Sequence, residues 1–421
     1  MIFCLAMRVG APEGAQSLAG TISSGQSLNT LPISAAARPS TIPYPRDAGI
    51  WPRIHYIPCM SNSFGEYLRI TTWGESHGPG IGVVIDGLPA GIPISVETIG
   101  ADLARRRPGG ALASARKEPD APQIQSGLHD GKTLGSPLAI WIESVDARPA
   151  DYDQLSELYR PGHADFTTDA RYGFRDARGG GRASARETAA RVAAGSVARA
   201  MLSSEYGIEI VGWVDAIGTG RAEVNPALVQ SEEVEASVVR CPVTEASEAF
   251  IEQIEAARDG GDSLGGWVGV VARGVPAGWG DPVFGKVKAL LGSAFLSIPA
   301  AMAMEMGDGI AATSRTGSHN NDQMVPDGKG GMRQETNRSG GLQGGITSGA
   351  PLWARVGFKP TSTIATSQQT IDSSGKAVSF EGSGRHDPCV VPRAVPIVEA
   401  MMALVLADRM LAWRATPPAS E

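Results

Sequence analysis

The chain has 421 residues, and its 44 acidic side chains outnumber its 37 basic ones, so the formal net charge of −7 argues against binding of nucleic acid through bulk positive charge. Apolar residues at 42% and charged residues at 19% exclude wholesale disorder and permit a large core. Glycine is in excess, with 53 residues that show no collagen-like period, so many tight turns and close backbone approaches are expected.

Residues 1–59 differ in composition from the rest of the chain. They contain four Arg, two acidic residues and no Lys, and they show no sustained apolar period. Three interpretations remain open: an organellar transit peptide, a disordered tail, or an over-extended reading frame whose true start is Met60. Four scattered cysteines without a C-x-x-C pair favour a reducing compartment. The protein is therefore expected in the cytoplasm, or in a plastid if residues 1–59 are a transit peptide.

From residue 64 onward, short β-type runs alternate irregularly with helical periods. Strands are predicted at 67–73, 81–86, 208–216, 266–273 and 352–358, and helices at 96–107, 187–206, 244–259, 283–297 and 396–413. This mixed order favours an α+β fold over a doubly wound sheet. The last helix carries Pro396, Glu399, Asp408 and Arg409 within its apolar stretch, so it is not expected to span a membrane.

An arginine-rich window interrupts the acidic background. Residues 160–199 carry eight Arg and no Lys against four acids, and Arg forks bind carboxylate and phosphate bidentately. Glycines 179–181 lead toward a helix whose first amide groups could cradle an anion, and Ser184-x-x-Glu187 predicts a capping box there. The G-K-[ST] ending of a Walker loop is missing, which argues against ATP. A solvated helical face with internal ion pairs remains the alternative.

The turn Gly74-Glu-Ser-His-Gly78 satisfies the G-x-S-x-G pattern of the hydrolase nucleophile elbow. An elbow needs a helix directly after its serine, whereas Pro79-Gly80 and a β-type run follow here. A serine hydrolase is therefore kept as a minor alternative.

Four of the six histidines lie in loops rich in Gly, Pro or Asp, namely His77, His163, His319 and His386. Loops carry function and His titrates near neutral pH, although for any single ring a structural or surface role is the more common one. Their spacing gives no support for a metal site. Glycine- and serine-rich loops at 307–309, 340–349 and 359–363 add donors suited to a flat, phosphorylated ligand. A non-catalytic anion- or flavin-binding protein is the second alternative.

Six motifs resemble those of the chorismate synthase family and occur in the family order. They are Thr71-Thr-Trp-Gly-Glu-Ser-His-Gly78, Arg105-Arg-Arg-Pro-Gly109, Arg160-Pro-Gly-His-Ala-Asp165, Gly179-Gly-Gly-Arg-Ala-Ser-Ala-Arg-Glu-Thr188, Gly340-Gly-Leu-Gln-Gly-Gly345 and Gly384-Arg-His-Asp-Pro-Cys-Val390. The resemblance runs from about Met60 to Trp413. It implies a single domain over 60–421, an α+β β-α-β sandwich with helices between antiparallel sheets, and a homotetramer.

The resemblance also implies the reaction. Members of the family are carbon-oxygen lyases that eliminate phosphate from 5-enolpyruvylshikimate 3-phosphate in an anti 1,4 sense, giving chorismate in the last step of the shikimate pathway to the aromatic amino acids. They need reduced FMN although no net redox change occurs. NADPH is implied only as an indirect reductant. An external flavin reductant is expected because the sequence contains no recognisable reductase domain, and no metal, nucleic acid or membrane is implied as a partner.

The motifs carry the family's functional positions onto this sequence. The catalytic positions are His77, His163, Asp387, Ser76 and Ser184. The two histidines are implied in protonating the reduced flavin or handling the departing phosphate, and Asp387 in deprotonation at the flavin. The FMN-contact positions are Arg182, Ala183, Ser184, Pro299, Ala300, Gly344, Lys359, Pro360, Thr361, Ser362, Thr363 and Arg385. Arg106 matches an NADPH contact.

Three stretches depart from the family pattern. Ala183 stands where the family has a first serine, so one hydroxyl is absent. The segment after Arg107 is apparently one residue short and lacks an arginine, which weakens the expected NADPH contact at Arg106. His319 lies in Gly317-Ser-His-Asn-Asn-Asp322 where the family has a glutamate followed by histidine, so no role is assigned to His319.

Overall fold

Two antiparallel sheets enclose the long helices in the computed structural model, which describes residues 61–107, 112, 118–145, 157–328, 330–382 and 387–417. The helices in these residues are α1 Val96–Arg106, α2 Asp165–Tyr172, α3 Thr188–Tyr206, α4 Ser231–Ala236, α5 Thr244–Asp259, α6 Val287–Leu296, α7 Gly317–Asn320 and α8 Val391–Ala415. The strands are β1 Ser63–Phe64, β2 Arg69–Trp73, β3 Gly80–Asp86, β4 Pro122–Ser126, β5 Leu128–His129, β6 Lys132–Thr133, β7 Leu138–Glu143, β8 Glu209–Ile217, β9 Gly220–Arg221, β10 Gly266–Arg273, β11 Ala301–Met306, β12 Met324–Pro326, β13 Met332–Gln334, β14 Leu342–Gln343, β15 Ile346–Thr347, β16 Leu352–Phe358, β17 Gln368–Ile371 and β18 Ala377–Phe380. The predicted leader, 1–59, lies outside the described residues.

Sheet one has the strand order β1-β2-β3-β7-β4, and every neighbouring pair is antiparallel. The strands β2 and β7 alternate between a core face and an outer face. In β7, Leu138, Ile140 and Ile142 are buried, whereas Trp141 stacks on Trp73 at a ring separation of 5.1 Å. This period of two is typical of an antiparallel sheet with one face on the core.

Sheet two has the strand order β11-β16-β10-β8-β9, again with antiparallel pairs. Its strand β8 is buried along nearly its whole length. The helix α8 packs on one side of β8. On the other side, Val211 and Trp213 of β8 form a small apolar cluster with Val234 of α4. Because both faces of β8 are covered, its residues are buried without a break from 210 to 217 instead of alternating between buried and exposed.

The helices α3 and α8 form the middle of the fold. α3 packs against β2, β3 and β7 of sheet one, α8 packs against β8 and β10 of sheet two, and the two helices pack on each other. The layers are therefore sheet, helix, helix and sheet, and the predicted α+β sandwich with helices between antiparallel sheets is confirmed. At Gly195 of α3 the two helices approach so closely that a Cβ would overlap Ala400 of α8.

The charged residues inside α8 are buried with partners. Asp408 Oδ1 accepts the backbone N–H groups of residues 66–68 at 2.7 to 2.9 Å, and its other oxygen accepts Arg409 Nη2 at 2.6 Å. Glu399 forms ion pairs with Arg105 and Arg199. These charged groups therefore form hydrogen bonds and ion pairs inside the protein. No helix in the described residues combines the length and the apolar character that crossing a membrane requires.

All ten predicted elements form, seven of them with bounds that differ by one to five residues, but they are only ten of the 26 helices and strands in the described residues, and β4, β7 and β11 of the two main sheets are missed. The bounds 244–259, 266–273 and 352–358 agree with α5, β10 and β16. The helix predicted at 283–297 is shorter, Val287–Leu296, and the last helix begins at Val391 rather than at 396. Pro392 lies in the first turn of α8, where the missing N–H of proline costs nothing, so the helix starts before the apolar stretch.

The capping box predicted at Ser184 and Glu187 is wrong. Ser184 Oγ accepts the backbone N–H of Arg186 at 3.3 Å and opens a short 3-10 turn, Ala185–Glu187. The Glu187 carboxylate accepts Thr72 Oγ1 at 2.9 Å and Arg191 Nε at 2.8 Å instead of returning to the cap. These partners draw the carboxylate away from the backbone, and α3 begins only at Thr188.

The close approach of α3 and α8 gives a test of the packing. Gly195→Ala should lower the free energy of unfolding by about 1 to 3 kcal/mol, because the new methyl group overlaps Ala400. Gly100→Ala is the matched control in α1, where the nearest atom to a new Cβ is 3.9 Å away, and it should raise stability by about 0.5 to 1 kcal/mol. Urea unfolding followed by tryptophan fluorescence measures both. Equal stability of the two variants would contradict this packing.

Candidate active site

Two cavities of about 530 and about 900 Å³ share a wall. We call them the smaller and the larger cavity. The shared wall consists of His163, Ala164, Gly179, Gly180, Arg182, Ala183, Arg191 and Ser297. Both volumes lie within the range of about 300 to 1,000 Å³ that is usual for small-molecule sites.

The antiparallel pairing of β11 with β16 forms one side of the smaller cavity. Because β11 begins where β16 ends, Pro299 and Ala300 lie beside Lys359, whose backbone N–H donates to Ala300 O at 3.0 Å. Lys359 Nζ and Ser362 Oγ donate to Gly162 O at 2.6 and 2.7 Å. These bonds join the loop after β16 to the loop that carries His163.

Asp165 organises the His163 loop. Its carboxylate accepts Arg160 Nε and Nη2, each at 2.7 Å, and its Oδ1 lies 2.9 Å from His163 Nδ1. Burial raises the pKa of the Asp165 carboxyl, but hydrogen bonds from Arg160 and His163 outweigh burial and hold the pKa well below its ordinary value. The carboxylate is thus ionised and accepts Nδ1–H, which leaves Nε2 of His163 as the ring atom for proton exchange.

The turn between β2 and β3 carries Ser76 and His77, both buried. Ser76 Oγ lies 3.1 Å from His77 Nδ1. Arg182 clamps this turn by donating Nη1 to Gly74 O at 3.0 Å and Nη2 to Thr72 O at 3.1 Å. The strand β3 follows the turn directly, so the helix that a hydrolase nucleophile elbow needs after its serine is not formed.

Asp387, just before α8, connects three parts of the site. Its carboxylate forms an ion pair with Arg393 of α8, and its carbonyl oxygen accepts Thr361 Oγ1 at 3.0 Å. Arg393 Nε also donates to Arg106 O, at the end of α1, at 3.1 Å. The start of α8, the end of α1 and the loop after β16 are therefore held together at the cavity.

Positive charge dominates the wall of the smaller cavity. Its described lining contains no carboxylate, and its basic side chains are Arg106, Arg160, Arg182, Arg191, Lys359, Arg393, His77 and His163. Their acidic partners, which lie outside that lining, are Asp120, Asp165, Glu187 and Asp387. The lining of the larger cavity instead includes Glu75, Asp165, Asp176 and Glu187. An anionic ligand is therefore drawn to the smaller cavity.

Similar proteins identify the family. The family model described as chorismate synthase matches residues 68–411. The chain belongs to the chorismate synthase family. Chorismate synthase of Trichodesmium erythraeum is 50% identical over 353 residues, 84% of this chain and 95% of that protein, and the enzyme of Synechococcus elongatus is 51% identical over 357 residues, 85% and 99%. A solved crystal structure of chorismate synthase superposes with a TM-score of 0.66 and 34% identity, covering 83% of this chain and 92% of that one.

Membership in the chorismate synthase family assigns the chain to the lyases. The smaller cavity brings together most of the residues that the sequence predicted for the site. They are His77, His163, Ser184, Arg106, Arg182, Ala183, Pro299, Ala300, Lys359, Pro360, Thr361, Ser362 and Thr363. Ser76 and Asp387 do not line it, but they contact its wall through His77 and Arg393. Gly344 lies in the turn between β14 and β15, outside both cavities, and Arg385 lies outside the described residues.

Two side chains at this candidate site could not be recognised from the sequence. Arg393 belongs to none of the six motifs, and neither does Asp120, which lies in the stretch Lys117-Glu-Pro-Asp120. Arg393 pairs with Asp387, and Asp120 pairs with Arg106. Both ion pairs follow from the three-dimensional packing and not from a sequence pattern. Arg160, Arg191 and Asp165, by contrast, lie in the arginine-rich window.

Proposed function

We propose that the chain eliminates phosphate from 5-enolpyruvylshikimate 3-phosphate in an anti 1,4 sense to give chorismate, with reduced FMN as cofactor. The observation that carries the proposal is the smaller cavity, whose described lining has six Arg and Lys side chains and no carboxylate. The substrate has two carboxylates and a phosphate, and FMN adds a further phosphate. Arg forks in a partly water-excluded site bind such groups strongly and bidentately.

The residues of the smaller cavity fit FMN. The volume of about 530 Å³ suits a ligand of this size. Lys359 supplies an ammonium group and Thr361 to Thr363 supply hydroxyls at one side. We propose that 182–184, 299–300 and 359–363 hold the cofactor, and that Arg385 joins them. Gly344 is left out of this set because it lies outside both cavities.

When bound, reduced FMN supplies electron density that helps the phosphate to leave and a basic position for the substrate proton. His163, oriented through Nδ1 by Asp165, exchanges a proton at Nε2. His77 is the second proton-transfer group, and the neighbouring Ser76 hydroxyl fixes its Nδ1 side. The departing phosphate would then contact both imidazole and guanidinium groups in the wall of the smaller cavity.

Ser184 and Asp387 complete the proposed catalytic set. Ser184 Oγ accepts the N–H of Arg186, so its own hydrogen can donate to a ligand in the cavity. Asp387 is held by Arg393, and this ion pair fixes the carboxylate beside the loop 359–363. We assign Asp387 to assist deprotonation at the cofactor.

Further parts of the proposal concern the whole protein. We propose a homotetramer, since the edge strand β11 exposes 67% of Met302 and the loop before α6 exposes 90% of Phe284, and such apolar groups suit subunit contacts. We also propose a cytoplasmic enzyme with an external flavin reductant, NADPH acting at most indirectly, and one catalytic domain over 60–421. Mass spectrometry of the native N-terminus decides between Met1 and Met60.

The test is a turnover assay under anaerobic conditions with chemically reduced FMN and 5-enolpyruvylshikimate 3-phosphate. We expect stoichiometric release of phosphate and formation of chorismate, and neither product with oxidised FMN or without flavin. A folded protein that releases no phosphate would refute the proposal. Binding of FMN without turnover would indicate a non-catalytic flavin-binding protein, and labelling of Ser76 by a phosphonate would indicate a hydrolase.

A further inference from the structure

Asp120 is a buried carboxylate behind the wall of the smaller cavity. It is 1% exposed, and one carboxylate oxygen accepts Arg106 Nη2 while the other accepts Arg186 Nη1. Arg186 is anchored in turn, because its Nη2 donates at 3.0 Å to the carbonyl oxygen of Glu143 at the end of β7. A chain of contacts thus runs from sheet one through Arg186 and Asp120 to Arg106.

Arg106 is the member of this chain that reaches the cavity. It lines the smaller cavity, is 2% exposed, and forms no ion pair other than that with Asp120 among the described residues. Its Nε is buried without a hydrogen-bond partner in that part of the chain, and its Nη1 has only a 3.5 Å contact to Ala185 O. A buried guanidinium with N–H groups left over is poised to bind an anion.

The backbone conformation at Asp120 is one that aspartate and asparagine tolerate better than most residues. Its φ is +46°, a left-handed conformation that non-glycine residues adopt at a cost. Burial lowers the pKa of Arg106 to about 10, with Asp120 as the largest opposing influence, so the guanidinium is charged at neutral pH.

We propose that Asp120 is a positioning residue, which fixes the Arg106 guanidinium at the cavity wall so that its remaining N–H groups bind an anionic group of the substrate. The inference rests on the proposed function for the identity of that substrate. It also gives Arg106 a role inside the cavity, in place of a separate NADPH contact. A carboxylate is required because two donors from two arginines must be accepted at once.

Asp120→Asn tests the proposal. Asparagine tolerates the left-handed backbone, but its amide group offers one acceptor and a donor that opposes the second arginine. We expect the Kd of 5-enolpyruvylshikimate 3-phosphate, measured by calorimetry on flavin-free protein, to rise about tenfold, equivalent to about 1.4 kcal/mol. KM should rise in parallel, kcat should fall less than about threefold, and the Kd of FMN should stay within about twofold.

Asp130→Asn is the matched control. Asp130 has nearly the same φ, +47°, but its side chain is 89% exposed, so the same substitution should change none of these constants. An unchanged substrate Kd in Asp120→Asn would overturn the proposal. Equal losses of FMN and substrate affinity would also overturn it, because they would indicate general disruption of the site.

A second variant keeps the test decisive if Asp120→Asn does not fold. Arg106→Lys retains the positive charge but loses the fork, so it should by itself raise the substrate Kd about tenfold, and the double variant should lose little more than either single one. Multiplicative losses would overturn the coupling. A wild-type protein that binds the substrate tightly without turnover would refute the proposed function alone and leave this binding test in force.

Discussion

His163→Ala should lower kcat by about 10²- to 10⁴-fold, which is the usual contribution of a positioned proton-transfer group. His163 lines the smaller cavity, and its Nδ1 is 2.9 Å from Asp165 Oδ1. The carboxylate accepts Nδ1–H and also two N–H groups of Arg160, so the ring is held in one orientation. Alanine removes Nε2 as the proton-exchanging atom, but the backbone and the basic groups that bind anions remain.

The affinity for FMN separates a proton-transfer role from a structural role. We expect the Kd of FMN to stay within about threefold in His163→Ala, since the residues proposed to hold the cofactor lie mainly at 182–184 and 359–363. His129→Ala is the matched control, because His129 has 74% of its side chain exposed and lies in the outlying strand β5. Proportional losses of turnover and of FMN affinity would show that His163 only supports the structure.

The sequence predicts an element well where one local pattern dominates it. The strands β10 and β16 have the predicted bounds because apolar residues occupy most of their positions and glycine or proline lies next to or near their ends. The failed capping box shows the limit of local patterns. Glu187 has the correct spacing from Ser184, but Thr72, 115 residues away in the chain, and Arg191 take its carboxylate. A long-range partner such as Thr72 leaves no mark in a local pattern.

The same distinction applies to the site. The sequence motifs predict His77, His163 and the loop 359–363 as site residues. The pairing of β11 with β16 and the segment that leads into α3 bring them to one cavity. Asp120 could not be predicted, because it pairs with Arg106 across 14 residues and with Arg186 across 66. Motifs therefore identify residues that line the cavity, whereas the residues that hold them in place are found from the fold.

Glu399→Gln should lower the free energy of unfolding by about 3 kcal/mol, near the lower end of the usual cost of breaking a buried ion pair. Glu399 is 2% exposed in α8, and it accepts Arg105 Nη1 at 2.6 Å, Arg199 Nη2 at 3.1 Å and the N–H of Gly212 at 2.8 Å. Glutamine leaves both arginines without this counter-charge. Asp102 remains 3.7 and 3.6 Å from them, which limits the loss.

The pH dependence of this loss identifies its cause. Burial raises the pKa of Glu399, but the charges of Arg105 and Arg199 and the hydrogen bonds from Arg105 and Gly212 outweigh burial, so the pKa lies below its ordinary value of 4.5. A lowered pKa in the folded state means that the ion pair stabilises fully above the unfolded-state pKa and that this stabilisation is lost as the pH falls through the folded-state pKa. The difference between wild type and Glu399→Gln should therefore be largest at pH 7 and should shrink below about pH 4.5. Urea unfolding at fixed protein concentration measures it, with Glu255→Gln as an exposed control that should change stability by less than about 0.5 kcal/mol. A difference that stays constant from neutral to acidic pH would show that shape, and not charge, makes Glu399 necessary.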